Sequence, residues 1–266
     1  MEFWKKFKTF QDYVFTGLRI GADLRSRYLL VSMLPRLKYF RLNPSHRYRV
    51  NICLNQLKKN ILVRAADIFI LHEVLGKKPY IYSKMKEKPP RRILDLGAHI
   101  GLATLLFKAE FPDAEIHCYE PEPENFELLQ FNTKGLHNVF VHCEAVGSKR
   151  TKATLYIPEN RYAGASLRPA SKGERVRKVV CQVKPLDEIL TQIGDRVDLI
   201  KFDIEGMEYE VFSTSRLVHE VPWIVGEIKG DQQEVQRFIQ LFPQHRGEVM
   251  YCSSKMVYIY LNKKMK

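Results

Sequence analysis

No stretch of this 266-residue chain is apolar over the ~20 residues that a membrane-spanning helix needs. The longest apolar run near the N-terminus, LLVSML at 29–34, stops at Pro35. The opening MEFWKKFKTF sets aromatics beside lysines, with neither a continuous apolar segment nor a cleavage site, so no secretory signal is expected. Cysteines are few and unpaired in pattern. Cys53, Cys118, Cys143, Cys181 and Cys252 are odd in number and form no C-x-x-C, which argues against a disulfide framework or zinc ribbon and for reduced thiols in a cytoplasm-like compartment. Repeats and low-complexity tracts are absent. With 45% hydrophobic and 27% charged residues the composition is globular, and the length suits one large domain, or one domain plus an extension, whose core needs no metal or disulfide staple.

Acidic residues are scarce in the first third. Residues 1–92 hold 21 Lys/Arg and 6 Asp/Glu, a net +15, whereas residues 93–266 carry a net −2. Such an excess suits an anionic partner (a membrane surface, a phosphate-linked carrier or another polyanion) or else a solvated face. Residues 2–40 read as helical, because Phe3, Phe7, Phe10, Val14 and Leu18 recur at steps of four, three, four and four. This stripe is expected to dock on the domain or on a second subunit, as in a homodimer, in preference to a membrane interface, where the protein would sit peripherally.

Strand-like runs at 48–54 and 61–64 flank a polar KKN turn, and 66–76 predicts a helix closed by Gly76. The connector KMKEKPPRR at 84–92 separates a basic extension, residues 1–90, from a main domain, residues 91–266. From residue 92 strands and helices alternate. The strands are expected at 92–96, 115–120, 138–146, 197–204 and 223–228, with EVMYCS and KMVYIYLN closing the chain as a hairpin. That pattern predicts an α/β, doubly wound, mostly parallel, Rossmann-like sheet of seven strands. The segment 151–185 interrupts it with two strands around the polar loop ENRYAGASLRPASKGE, an insertion on the side where such sheets place ligands.

Four motifs carry chemistry. DLGAHIG, 95–101, ends a strand and opens a helix. Gly97 permits a tight turn, Gly101 close helix packing, and His99 stands where many nucleotide loops have glycine, a residue type that tolerates positive φ. Glu120 ends the next strand, 25 residues after Asp95, where an acid can accept the hydroxyl hydrogens of a ribose. CEAVG, 143–147, supplies small residues that either wall an adenine or merely end a strand. In IKFDIEGMEYEVF, 200–212, Asp203 and Glu205 crowd the carboxyl end of a buried strand, where ligands bind, while Glu208 and Glu210 suit helix capping.

ILDLGAHIG, YEPEPENFELLQFN, EAVG, PLDEIL and DLIKFDIEGMEYEVF, in this order and spacing over 60–262, resemble the FkbM family of methyltransferases. The resemblance implies a class I methyltransferase fold, S-adenosylmethionine (SAM) as cofactor, and O-methylation of a sugar, glycan or natural-product hydroxyl. It also implies Asp95, Gly97 and Gly101 on the methionine side, Glu120 on the ribose, Glu144 and Ala145 near the adenine, Ala98, His99 and Pro121 as further cofactor-binding residues, and Asp203 beside the reactive methyl with Glu205 next to it. His99 departs from the family, which usually has Asn there. Asp203 and Glu205 are therefore the expected catalytic pair, ahead of His99, His142 and Glu227, and no metal set is evident beyond those two carboxylates. An NAD-dependent oxidoreductase lacks its G-x-G-x-x-G here. A nucleic-acid methyltransferase would suit the basic third, but DIEG occupies the place of a polar–Pro–Pro–aromatic motif, and the only Pro–Pro pair is Pro89–Pro90 in the connector.

Overall fold

The computed structural model describes residues 2–39, 43–159, 164–169, 173–194, 196–253 and 256–264; the side chains of 2–9, 38–39, 251–253 and 256 lie outside that description, as does the rest of the chain. The extension begins with helices α1 (Glu2–Ile20) and α2 (Leu24–Tyr39), packed on each other, followed by an antiparallel hairpin of β1 (Arg47–Leu54) and β2 (Leu57–Arg64). Its turn is Asn55–Gln56, with Asn55 at φ 52°, a conformation that Asn tolerates. Lys58, Lys59 and Asn60, expected to be the turn, therefore lie inside β2, and the two-residue loop sets the register that buries Val50 and Ile52 with Ile61 and Val63.

Residues 65–77 are not one helix closed by Gly76. A 3-10 turn (Ala65–Asp67), the short α3 (Ile68–Leu71) and a π turn (His72–Lys77) follow one another, and Lys78, at φ 55°, ends them. Gly76 serves close approach, since a Cβ there would stand 2.8 Å from the Thr16 hydroxyl of α1.

The main sheet is built from β3 (Arg92–Leu96), β4 (Glu115–Tyr119), β5 (Val139–His142), β9 (Leu199–Phe202), β10 (Trp223–Lys229), β11 (His245–Ser253) and β12 (Met256–Lys263). Its seven strands run in the order β11-β12-β10-β9-β3-β4-β5, parallel except for β12, which is antiparallel to both neighbours. The expected doubly wound α/β architecture is thus the observed one. The run 138–146 is two strands rather than one. Beyond Cys143 the chain leaves the main sheet, and β6 (Glu144–Gly147) joins β7 (Thr151–Pro158) and β8 (Val176–Pro185) in a small sheet ordered β6-β8-β7. Gly147 allows this, because a Cβ would lie 2.4 Å from the Val183 side chain.

Alternate strand residues feed two cores. Ile93, Ile116, Leu199 and Val225 face α4 (Leu102–Glu110) and α5 (Pro123–Thr133) and share one buried cluster with Ile52, Ile61, Leu71 and Leu75 of the extension. Leu94, Ile200, Phe202 and Ile224 face α6 (Leu186–Ile193), α7 (Glu208–Thr214) and α8 (Gln232–Ile239). There the rings of Phe202 and Phe212 pack edge to face at 4.9 Å, a pairing worth about 0.5–1.5 kcal/mol beyond area burial. Among the described residues no helix is long and apolar enough to cross a membrane.

Candidate active site

The site forms where β3, β4, β9 and β10 end. The chain turns out of β3 with Gly97, His99 and Gly101 all at positive φ (73°, 51° and 88°). The N–H groups of Gly97 and Ala98 donate to the Tyr119 carbonyl at 2.9 and 3.0 Å, and the Asp203 N–H donates to the Leu96 carbonyl at 3.0 Å, which locks the loop against β4 and β9. Gly97 leaves no room for a side chain, since a Cβ would stand 1.9 Å from the Asp203 carbonyl oxygen. His99 keeps the turn intact. Its N–H donates to Glu120 Oε2 at 2.8 Å, and its Nε2 lies 3.2 Å from Arg64 Nη2. Arg64, buried, also pairs with Asp67 at 3.0 Å and donates to Asn125 Oδ1 at 2.6 Å, so the extension grips the loop from outside.

A cavity of about 270 Å³ opens over this edge. Gly97, Ala98, His99, Glu120, Pro121, Glu144, Ala145, Asp203 and Glu205 all line it, so the structure gathers nine sequence-selected residues around one space. Asp95 and Gly101 are not among its lining residues. Gly101 caps α4, and a Cβ there would press on Leu129 of α5 at 2.9 Å, so its role is helix packing. Asp95 is fully buried beneath the loop, 2.9 Å from Lys201 Nζ and accepting a 2.8 Å bond from the Thr104 hydroxyl. Lys201 in turn donates to the Gly97 carbonyl at 2.7 Å. Burial pushes the Lys201 ammonium down, but Asp95 and then Asp203 more than offset it and its pKa ends above the usual value. The pair braces the loop from below.

Glu120 accepts from the backbone N–H groups of His99 and Glu122, and burial pushes its pKa up to about 7 despite those bonds. Glu144 lies 3.4 Å from Lys184 Nζ. After β9 the chain passes through Glu205 (φ 53°) and Gly206 (φ 94°). The Glu205 carboxylate pairs with Lys229, and its carbonyl accepts a 2.7 Å bond from the Ser166 hydroxyl, which ties the insertion to the site. Gly164, Ala165 and Leu167 of the same insertion line the cavity. Glu208 caps the turn by accepting the Gly206 N–H at 2.9 Å, and burial raises its pKa to about 7. His142 is outside the cavity; it stacks on Tyr119 at 4.5 Å, and burial lowers its pKa.

Glu227, ranked behind Asp203 and Glu205 from sequence, gains weight. It projects from β10 with 6% exposure and lines the cavity. Its Oε1 and Asp203 Oδ1 are buried without a hydrogen-bond partner among the described residues. Burial, reinforced by Asp203, pushes the Glu227 carboxyl up to about 8. Glu73, Tyr80, Lys201, Lys229 and Tyr258 also line the cavity and escaped sequence reading. The Tyr258 ring meets that of Tyr80 edge to face at 5.6 Å. Lysine inside the apolar strand LIKF was the one local signal among them, because a charge so placed must be paired. Among the described residues no group of three or more His, Cys, Asp or Glu side chains is arranged to hold a metal ion.

Known proteins resemble this chain in the same region. It is 29% identical over 175 residues to "Methyltransferase sdnD" of Sordaria araneosa, covering 54% of this chain and 66% of that protein. It is 31% identical over 140 residues to "Methyltransferase 1" of Beauveria bassiana, covering 45% and 56% respectively. A 64-residue match at 30% identity joins it to "31-O-demethyl-FK506 methyltransferase FkbM" of Streptomyces tacrolimicus, covering 24% and 25%. The chain thus spans less than two thirds of the length of each of these relatives. Residues 95–259, from the aspartate beneath the glycine loop to the last strand of the sheet, match the family described as the methyltransferase FkbM domain, and the chain belongs to that family.

Proposed function

We propose that this chain is a SAM-dependent methyltransferase acting on a hydroxyl of a small-molecule or glycan acceptor. One observation carries the reading. The glycine loop, the strand-end Glu120 and two buried carboxylate oxygens that no described protein group satisfies, on Asp203 and Glu227, all face a single cavity. A buried polar atom without a partner costs ~1–3 kcal/mol, so two in one cavity suit a bound ligand that completes them.

The residues fit the cofactor. Glu120 retains acceptor capacity toward ribose hydroxyls beyond the two amides it already binds. Pro121, Glu144 and Ala145 wall the adenine side, and Gly97 and Ala98 bring bare backbone to the methionine end. When bound, SAM supplies a methyl group already activated by its sulfonium. The chain's own work is to align the acceptor and manage its proton. Asp203 accepts that proton. Glu205, held by Lys229, positions the turn that carries Asp203. Glu227, protonated at neutral pH, donates a hydrogen bond that orients the acceptor oxygen. The relative named for 31-O-demethyl-FK506 carries an O-methylation in its name, and this supports the hydroxyl acceptor.

The test is incubation with SAM tritiated in its methyl group and a fractionated extract of the source organism. The expected product is a labelled methyl ether that survives alkali. Label only in an alkali-labile ester, or only in nucleic acid, would overturn the acceptor class.

A further inference from the structure

α1 is turned inside out relative to an ordinary docked helix. Small and medium residues face inward: Thr16, Gly17 and Ile20 are buried, with Tyr13 half-buried and stacked on His72 at 3.8 Å. Gly17 lets α2 approach, since a Cβ there would meet the Leu30 side chain at 3.1 Å. The large apolar residues face outward: Phe10 is 45% exposed, Phe15 68% and Leu18 47%. The stripe expected to dock on the domain is therefore left uncovered at Phe10 and Leu18, with Val14 between them half-buried, because small residues allow closer helix contact. Positions 3 and 7 of that stripe lie outside the described side chains.

The uncovered surface continues past the helix. Tyr13 meets Phe69 edge to face at 6.0 Å; Phe69 is itself 46% exposed, and its neighbour Ile70 lines the cavity. The two helices that carry this surface are net basic. Residues 1–39 carry 8 Lys/Arg and 3 Asp/Glu, a net +5, and Arg25 and Arg27 are exposed on α2. A second copy of the chain would bring the same positive charge to the contact, whereas an anionic lipid surface offers both the apolar depth and the opposite sign.

We infer that the outer face of α1 seats the protein on anionic membrane surfaces, with Phe10, Phe15 and Leu18 entering the interface and the basic residues meeting lipid headgroups. The inference stands apart from the methyl-transfer reading and does not depend on it. Co-sedimentation of the full chain with phosphatidylcholine–phosphatidylserine vesicles tests it. Binding is expected at low salt, weakening at physiological salt as exposed charges are screened over about 8 Å, and falling sharply with phosphatidylcholine alone. The double variant Phe15→Asp/Leu18→Asp is expected to bind at least tenfold more weakly with an unchanged melting midpoint, because both side chains are exposed. Charge reversal by Arg25→Glu/Arg27→Glu is expected to abolish the preference for anionic vesicles. The inference is overturned if the intact chain stays in the supernatant with anionic vesicles at low salt, if the aspartate variant binds equally well, if that variant melts lower, or if the chain forms a dimer that the variant dissociates.

Discussion

Asp203→Asn is expected to lower turnover by about a hundredfold or more while leaving SAM affinity within a few-fold, the usual size of a lost general-base contribution. The side chain ends a buried strand, faces the cavity, and presents an oxygen that no described group binds. Asparagine keeps the shape and loses the proton acceptor. Glu227→Gln is expected to behave differently, because folding holds Glu227 in its neutral form, which glutamine imitates. Turnover at neutral pH should be largely kept. Stability supplies the second readout. The folded-state value, about 8, stands above the ordinary 4.5, so this group's contribution is complete below about 4.5 and is lost as pH rises through about 8. The variant should therefore be more stable than the parent at pH ~9, by about 1 kcal/mol or more, and show a flatter alkaline limb. Rate measurements and denaturation at two pH values check both. Should Glu227→Gln be the inactive variant and Asp203→Asn the active one, the proton acceptor is Glu227.

Gly97→Ala is expected to be the most damaging single methyl in the molecule. The residue sits at φ 73°, which alone costs a Cβ-bearing residue ~1–2 kcal/mol. The new Cβ would also stand 1.9 Å from a backbone oxygen, that of Asp203, which is fixed by the pairing of β3 with β9 and cannot swing aside as a side chain would. A combined loss of about 3–5 kcal/mol follows, a fall in melting midpoint of about 10 °C, together with loss of SAM binding. Gly135→Ala is the control. It shares the positive φ, at 78°, but nothing lies within 4 Å of its Cβ, so only the strain of about 1–2 kcal/mol remains. Equal midpoints for the two variants would remove the packing argument.

What the sequence disclosed was local. DLGAHIG and Glu120 were readable because a strand, a turn and a helix start follow one another in the chain, and the alternation of strand and helix gave the sheet. What it concealed was contact between distant segments. The resemblance set Asp95 on the methionine side of the cofactor; only the parallel pairing of β3 with β9 sets Lys201 beside it, where the two brace the loop. Glu73, Tyr80 and Tyr258 reach the cavity from the extension and the last strand, and no spacing in the sequence connects them. The split at Cys143 was hidden because β5 and β6 are equally strand-like, and only the pairing of β6 with β8 sets Gly147 against the Val183 side chain, 2.4 Å from where a Cβ would stand. Periodicity found the apolar stripe of α1 but not its direction, which the small residues Thr16 and Gly17 decide.

Isothermal titration of the intact chain with SAM and, separately, with NAD tests the central claim most directly. Saturable binding of SAM is expected, weakened about tenfold or more in Glu120→Ala, since that carboxylate both organises the loop through the His99 N–H and faces the cavity where a ribose would lie. Binding of NAD in preference to SAM, or SAM affinity unaffected by Glu120→Ala, would contradict it.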